Sequence, residues 1–262
     1  AGRVTARIPG GVRVSWDNRT RAIFARAAGV GYLTIIATGI FAEFFVRSGL
    51  VVRGDAAATA ANIRASEMLF RSGMASEFVM LTSDVFVAGA LFVVFSKVDR
   101  AAALLAAFFR VAHAAVVGVN ILNMYVPLLL LGDGAAPGGF TPDQREGLAL
   151  LLLEVHGFGY VIGLVFFGVH CAFLGYLVVR SRFVPRVLGF LLMLAAAGYL
   201  LDSFARALLP DYASVEAVFT AAVFGPAFVA ELSFALWLLL KGGRLVAWEE
   251  DVGKDFAARA AS

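Results

Sequence analysis

The sequence predicts an all-α membrane protein: a six-transmembrane-helix bundle with both termini cytoplasmic and a short interfacial helix after the first span. Three observations carry this. Hydrophobic residues make up 61% of the 262-residue chain and charged residues 16%, against about 45–50% and 25% in soluble domains. Six apolar runs each reach the roughly 20 residues that a helix needs to cross about 30 Å of hydrocarbon. The basic residues bracket these runs instead of forming a stripe with interleaved aromatics, so the lipid bilayer is the expected partner and nucleic acid is not.

Residues 1–22 form a basic cytoplasmic segment. Its Arg3, Arg7, Arg13, Arg19 and Arg21 imitate a signal-peptide n-region, but the apolar run 23–46 is far longer than the roughly 7–15 residues of an h-region. A retained first helix is therefore expected. Further spans are read at 69–95, 101–131, 147–178, 187–208 and 215–240. They place the transmembrane domain at 23–244 and leave a charged cytoplasmic tail at 245–262. Between the first two spans, GDAAATAANIRASE (54–67) offers Asp55 as an N-cap before an alanine-rich, weakly amphipathic stretch, the interfacial helix. The last span alone carries an obvious break, at Gly225-Pro226, where a missing amide and a ring clash kink a helix. No period of 20–50 residues repeats, and no inverted pair of broken helices stands out.

Orientation follows from Lys and Arg in the short flanks, with acids largely ignored. One face collects the six arginines up to Arg26, then Lys97, Arg100, Arg180, Arg182, Arg186, Lys241, Arg244, Lys254 and Arg259. The other collects Arg47, Arg53, Arg64, Arg71, Arg145 and Arg206, beside the acidic loop GDGAAPGGFTPDQREG (132–147). Fifteen against six puts both termini in the cytoplasm and the chain in the inner membrane.

Ionisable residues within the spans include Glu43, Glu77, Asp84, Arg110, His113, Glu154, His156, His170, Asp202 and Glu231. Each costs about 2.5–3.5 kcal/mol at the bilayer centre, so they are expected to face the bundle interior or water. Folding spans two and three about residue 98 sets Asp84 level with Arg110 and His113, the geometry of an Asp84–Arg110 ion pair or a hydrogen bond to His113. Folding spans three and four about residue 138 sets Asn120 level with His156 and Asn123 near Glu154. Asp202 and Arg206, spaced i, i+4, suit an intrahelical pair. Glu77 and Glu231 have no partner assignable from spacing.

The stretch LLLEVHGFGYVIGLVFFGVHC (151–171) separates by angle. His156, Tyr160, Gly163, Phe167 and His170 form one stripe, and Glu154 points about 200° from His156. Gly159 and Gly163 let a neighbour approach closely beside the stripe. The two histidines are about 21 Å apart along the axis and belong to different sites. That spacing also suits two haems on one helix. His113 is the one histidine left as a second axial ligand, and it lies nearer His170 in depth. The sequence contains no HExxH, GxSxG, CxxC or HxxxH, and the single Cys171 reads as a small buried apolar residue.

No resident cofactor is therefore expected. The leading reading is a protein that binds or passes a small lipophilic or ionic ligand or a proton through a polar outer-half pocket. His156 centres that pocket, with Tyr160, Asn120, Glu77 and Asp202 as walls. An accessory subunit with a membrane-protein partner, or a homo-oligomer, belongs to the same class. The alternatives are a metal-dependent membrane hydrolase, with Glu77, Asn120 and His156 as its site, and a b-type haem protein using His156 or His170.

The blocks GDAAATAANIRASE, EVHGFGY, GLVFFGVHCAFLGYLVVRS, PRVLGFLLMLAAAGYLLDSFA and PAFVAELSFALWLLLKG together resemble a bacterial family of multi-pass integral membrane proteins, domain of unknown function 4386. The resemblance runs from about residue 24 to 244. It implies an all-helical membrane protein, without an activity. It also implies a shared pattern at His156, Gly157, Tyr160, His170, Cys171, Asp202 and Glu231. His113 departs from that pattern, which has a neutral amide there, and this removes the second haem ligand.

Overall fold

The computed structural model describes residues 16–132 and 139–244. Most of the basic N-terminal segment, residues 133–138 of the acidic loop and the charged tail 245–262 lie outside the described residues. Seven helices dominate: α1 (Asn18–Leu50), α2 (Ala56–Ala65), α3 (Glu67–Phe95), α4 (Arg100–Leu131), α5 (Pro142–Ser181), α6 (Arg186–Leu208) and α7 (Glu216–Lys241). All except α2 are long and apolar enough to cross a membrane. The end of the bundle bearing α2 is called the upper end, and the end where α1 starts and α7 finishes the lower end.

Side chains at the helix starts set the boundaries. Asp17 caps α1 by accepting from the Thr20 amide at 2.8 Å, and Asp99 caps α4 through the Ala102 amide at 3.1 Å. Those bonds hold both carboxyls below the usual carboxylate range. Thr141 and Gln144 form a capping box around Pro142 at the start of α5. Asp55 caps α2 through the Ala58 amide at 2.8 Å, and Thr59 fastens the preceding turn by exchanging bonds with Val52 (2.9 and 3.1 Å). The 54–67 stretch is thus helical where the sequence places a helix.

The spans pack in sequence order around a ring. Each of α1, α3, α4, α5 and α6 contacts the next, and α7 closes onto α1. At that closure Gly29 of α1 lies against α7, where a Cβ would sit 2.6 Å from the Leu239 amide nitrogen. The lower third of the interior is largely apolar, filled by Ala25, Ala28, Phe95, Ala103, Ala106, Leu174 and Val178, with the buried Arg21 guanidinium donating to the Val94 carbonyl at 2.8 Å.

Breaks are more widespread than the sequence suggests. The last span does break beside Pro226, with a π-helical turn over Thr220–Phe224 just before it. Span one also widens into a π-helix over Phe41–Arg47, and span three interrupts at Ile121 between Arg100–Asn120 and Leu122–Leu131. Neither has a Gly-Pro signature in sequence, although Pro127 lies inside the second half of span three.

Gly29→Val is expected to destabilise the bundle by about 1–3 kcal/mol through overpacking. Gly89→Ala, where a Cβ meets nothing within 4 Å, should be neutral or slightly stabilising. Thermal unfolding of the two variants in detergent checks the contrast.

Candidate functional site

Two polar clusters stack inside the ring. The upper one is built where the π-helical turn of α1 faces α5. Arg47 Nη1 donates to His156 Nδ1 at 2.8 Å, and the same guanidinium pairs with Glu43. Arginine only donates, so His156 Nδ1 is an acceptor and its proton resides on Nε2. Nε2 faces Glu77 Oε2 of α3 across 3.5 Å. Both atoms are buried, and neither has another hydrogen-bond partner among the described residues. Exposure is graded along this line: the Glu43 side chain is 45% exposed, that of Arg47 18%, and those of Glu77 and His156 2% and 0%.

Asn120 of α4 fixes the depth of His156 by donating to its backbone carbonyl at 2.8 Å. Its amide lies over Gly159, where any Cβ would collide with the Asn120 side chain. Tyr160, one turn below His156, carries the Arg47 guanidinium 5.6 Å from its ring.

The lower cluster centres on Arg110, which is 0% exposed. Its Nη2 lies 2.7 Å from Asp84 Oδ1. Its Nη1 donates to Tyr32 Oη at 2.8 Å and to His170 Nε2 at 3.0 Å. His170 must then carry its proton on Nδ1, which donates to the Ala106 carbonyl at 2.8 Å. The rings of Tyr32 (4.5 Å) and Phe167 (5.2 Å) sandwich the guanidinium. His113 Nε2 approaches Asp84 Oδ2 at 3.9 Å.

The remaining candidates lie to one side. Tyr199 donates to Glu231 Oε1 at 2.6 Å, which supplies the partner that spacing could not assign. Asp202 pairs with Arg206 at 3.4 Å and accepts from Tyr212, a bond that together with burial pushes the Tyr212 hydroxyl up to about 12. Glu216 bridges Arg206 and Arg53 at the upper surface.

Glu77, Asn120, His156 and Tyr160 are therefore brought together. His170 belongs with Asp84 and Arg110, Glu231 is close enough to Arg110, Asp84 and Tyr32 to interact with them electrostatically, and Asp202 takes Arg206 and Tyr212 as its partners. Asn123 donates to Asn120 Oδ1 at 3.0 Å instead of meeting Glu154, which is exposed on α5. His113 is not at the depth of His170: it faces Gly163, midway between the two histidines. Arg47, Tyr32 and Tyr199 were missed. The i, i+4 spacing of Glu43 and Arg47 was a readable signal for the first, and isolated tyrosines give none.

Both ring nitrogens of His170 are engaged, by Arg110 and the Ala106 carbonyl, and Nδ1 of His156 is engaged by Arg47. Among the described residues no three His, Cys, Asp or Glu side chains come together in a metal-holding arrangement.

Arg110→Met strands Asp84 as an uncompensated buried charge and should cost about 3–5 kcal/mol. The double variant Asp84→Asn with Arg110→Met should regain most of that loss in denaturant or thermal unfolding. Equal instability of single and double variants would refute the pairing.

A relative from Archaeoglobus fulgidus, described as an uncharacterized protein, is 28% identical over 168 residues, covering 64% of this chain and 82% of its own. No solved structure matches. The family described as "Domain of unknown function (DUF4386)" matches residues 27–242. With that match spanning all six apolar helices, the chain belongs to the DUF4386 family.

Proposed function

We propose that this is a multi-pass protein of the cytoplasmic membrane, with the upper end outside, whose interior binds a proton from the outer side at the His156–Glu77 pair. The observation that carries the reading is the Arg47 hydrogen bond to His156 Nδ1. His156 can accept from Arg47 or hold a second proton, but not both. A protonated imidazole would face the guanidinium at 2.8 Å, a repulsion of several kcal/mol at an effective dielectric constant of about 20. Protonation therefore drives Arg47 off, toward Glu43 and the surface, while Glu77 on the far side balances the new charge.

The charged and titratable groups facing His156 are Glu43 and Arg47 from α1, Glu77 from α3 and Tyr160 from its own helix; α4 contributes the neutral Asn120. Graded exposure from Glu43 inward supports entry from above. The largely apolar packing of Ala103, Leu174 and Val178 below His170, with Arg21 as the buried cation there, supports binding over conduction. The basic lower flanks support cytoplasmic termini, and the same orientation places α2 in the outer interface.

Two measurements check this. After a step from about pH 8 to pH 5.5 in weakly buffered detergent, wild type should take up about one proton per chain more than His156→Gln or Glu77→Gln. In ¹⁵N-histidine spectra, His156 should change from the Nε2–H tautomer to the doubly protonated form, and Arg47→Gln should alter that change. Should His156 stay neutral down to the pH of unfolding, or be indifferent to Arg47→Gln, the proposal fails.

A further inference from the structure

The lower end carries a feature that neither polar cluster uses. Between α4 and α5 an open cavity of ≈ 440 Å³ is lined by Ala101, Ala102, Leu105, Ala172 and Phe173, with Asp99 and Tyr176 at its polar end. Small side chains on both helices make the trough. At the polar end a chain of bonds fixes one cation: Arg180 Nη1 donates to Tyr176 Oη at 2.6 Å, and Tyr176 donates to Asp99 Oδ2 at 3.2 Å. The guanidinium also lies over the Tyr176 ring at 5.5 Å. Only one of its five N–H donors is thereby used among the described residues.

The two ends of the bundle handle their arginines differently. At the upper end Arg47, Arg53, Arg64, Arg71 and Arg206 each lie within 4.0 Å of a carboxylate, and Arg145 does not among the described residues. At the lower end Arg100, Arg180, Arg182 and Arg186 are exposed, and no carboxylate lies within that distance among the described residues. Asp99 is the acid nearest to hand, and its oxygens already accept from the Ala102 amide and Tyr176.

We infer that this trough holds one acyl chain of an anionic glycerophospholipid, with its phosphate on Arg180. The apolar floor suits a hydrocarbon chain and nothing charged. The exposed guanidinium of Arg180, linked to Asp99 only through Tyr176, supplies the charge complementarity that a zwitterionic lipid lacks. The lipid packs across the α4–α5 seam, the same seam that holds Asn120 against His156 at its upper end. The inference is independent of the proton-binding reading.

Native mass spectrometry of the full chain, purified with equimolar phosphatidylglycerol and phosphatidylcholine of matched chains, tests it. Wild type should retain one phosphatidylglycerol, preferred about fivefold. Arg180→Gln should keep a bound lipid and lose about fivefold of the preference. Ala172→Trp and Ala101→Leu, which fill the trough, should lose the retained lipid at an unchanged unfolding midpoint. Equal retention of the two lipids, an unchanged preference in Arg180→Gln, or wild-type retention in a folded trough-filling variant each overturns the inference.

Discussion

The buried guanidinium of Arg110 is the constraint around which the bundle is arranged. A cation at this depth is tolerated only with full compensation, and Arg110 finds it on three other helices: Asp84 from α3, Tyr32 from α1 and His170 from α5. These contacts fix the relative depth of four of the six spans at one level. They also decide the state of His170, because a ring nitrogen that accepts from arginine cannot carry a proton. One histidine of the α5 stripe is thereby structural, which leaves the other, His156, to respond.

His156 has the same kind of neighbour in a different setting. Its arginine sits near the upper surface on an irregular turn, and that arginine's carboxylate partner is partly exposed. Arg110 is locked between aromatic rings, whereas Arg47 has an exit. The two clusters share a chemistry of guanidinium, imidazole and carboxylate, and they differ in how deeply the guanidinium is buried.

Much of this was legible in the sequence because helix geometry is stiff. A fold about residue 138 predicts the pairing of Asn120 with His156, and the same centre relates His113 to Gly163 and Ala106 to His170. One register thus governs the whole α4–α5 seam. The Asp84–Arg110 and Asp202–Arg206 pairs follow from depth and i, i+4 spacing in the same way. Spacing failed where regular helix failed. The π-helical turn at Phe41–Arg47 lies in an ordinary apolar run with no proline, so periodicity treats Arg47 as a flanking charge. The Ile121 break lies six residues before Pro127, a proline inside an apolar run that spacing alone does not turn into a break at a given residue. Partners such as Tyr32 and Tyr199 come from helices brought close only by ring closure, and a single chain read linearly does not encode which tyrosine will be there.

The length of α5 sets an electrical scale for the upper cluster. Its 40 residues extend about 60 Å, twice the roughly 30 Å of hydrocarbon, so much of the helix projects beyond the bilayer. His156 lies about 21 Å from the helix start and about 38 Å from its end. A charge reaching it from above, as proposed, crosses the smaller part of a field worth about 2.3 kcal/mol per 100 mV over its full depth. In that reading the occupancy of His156 answers to the chemistry of the upper compartment more than to membrane voltage.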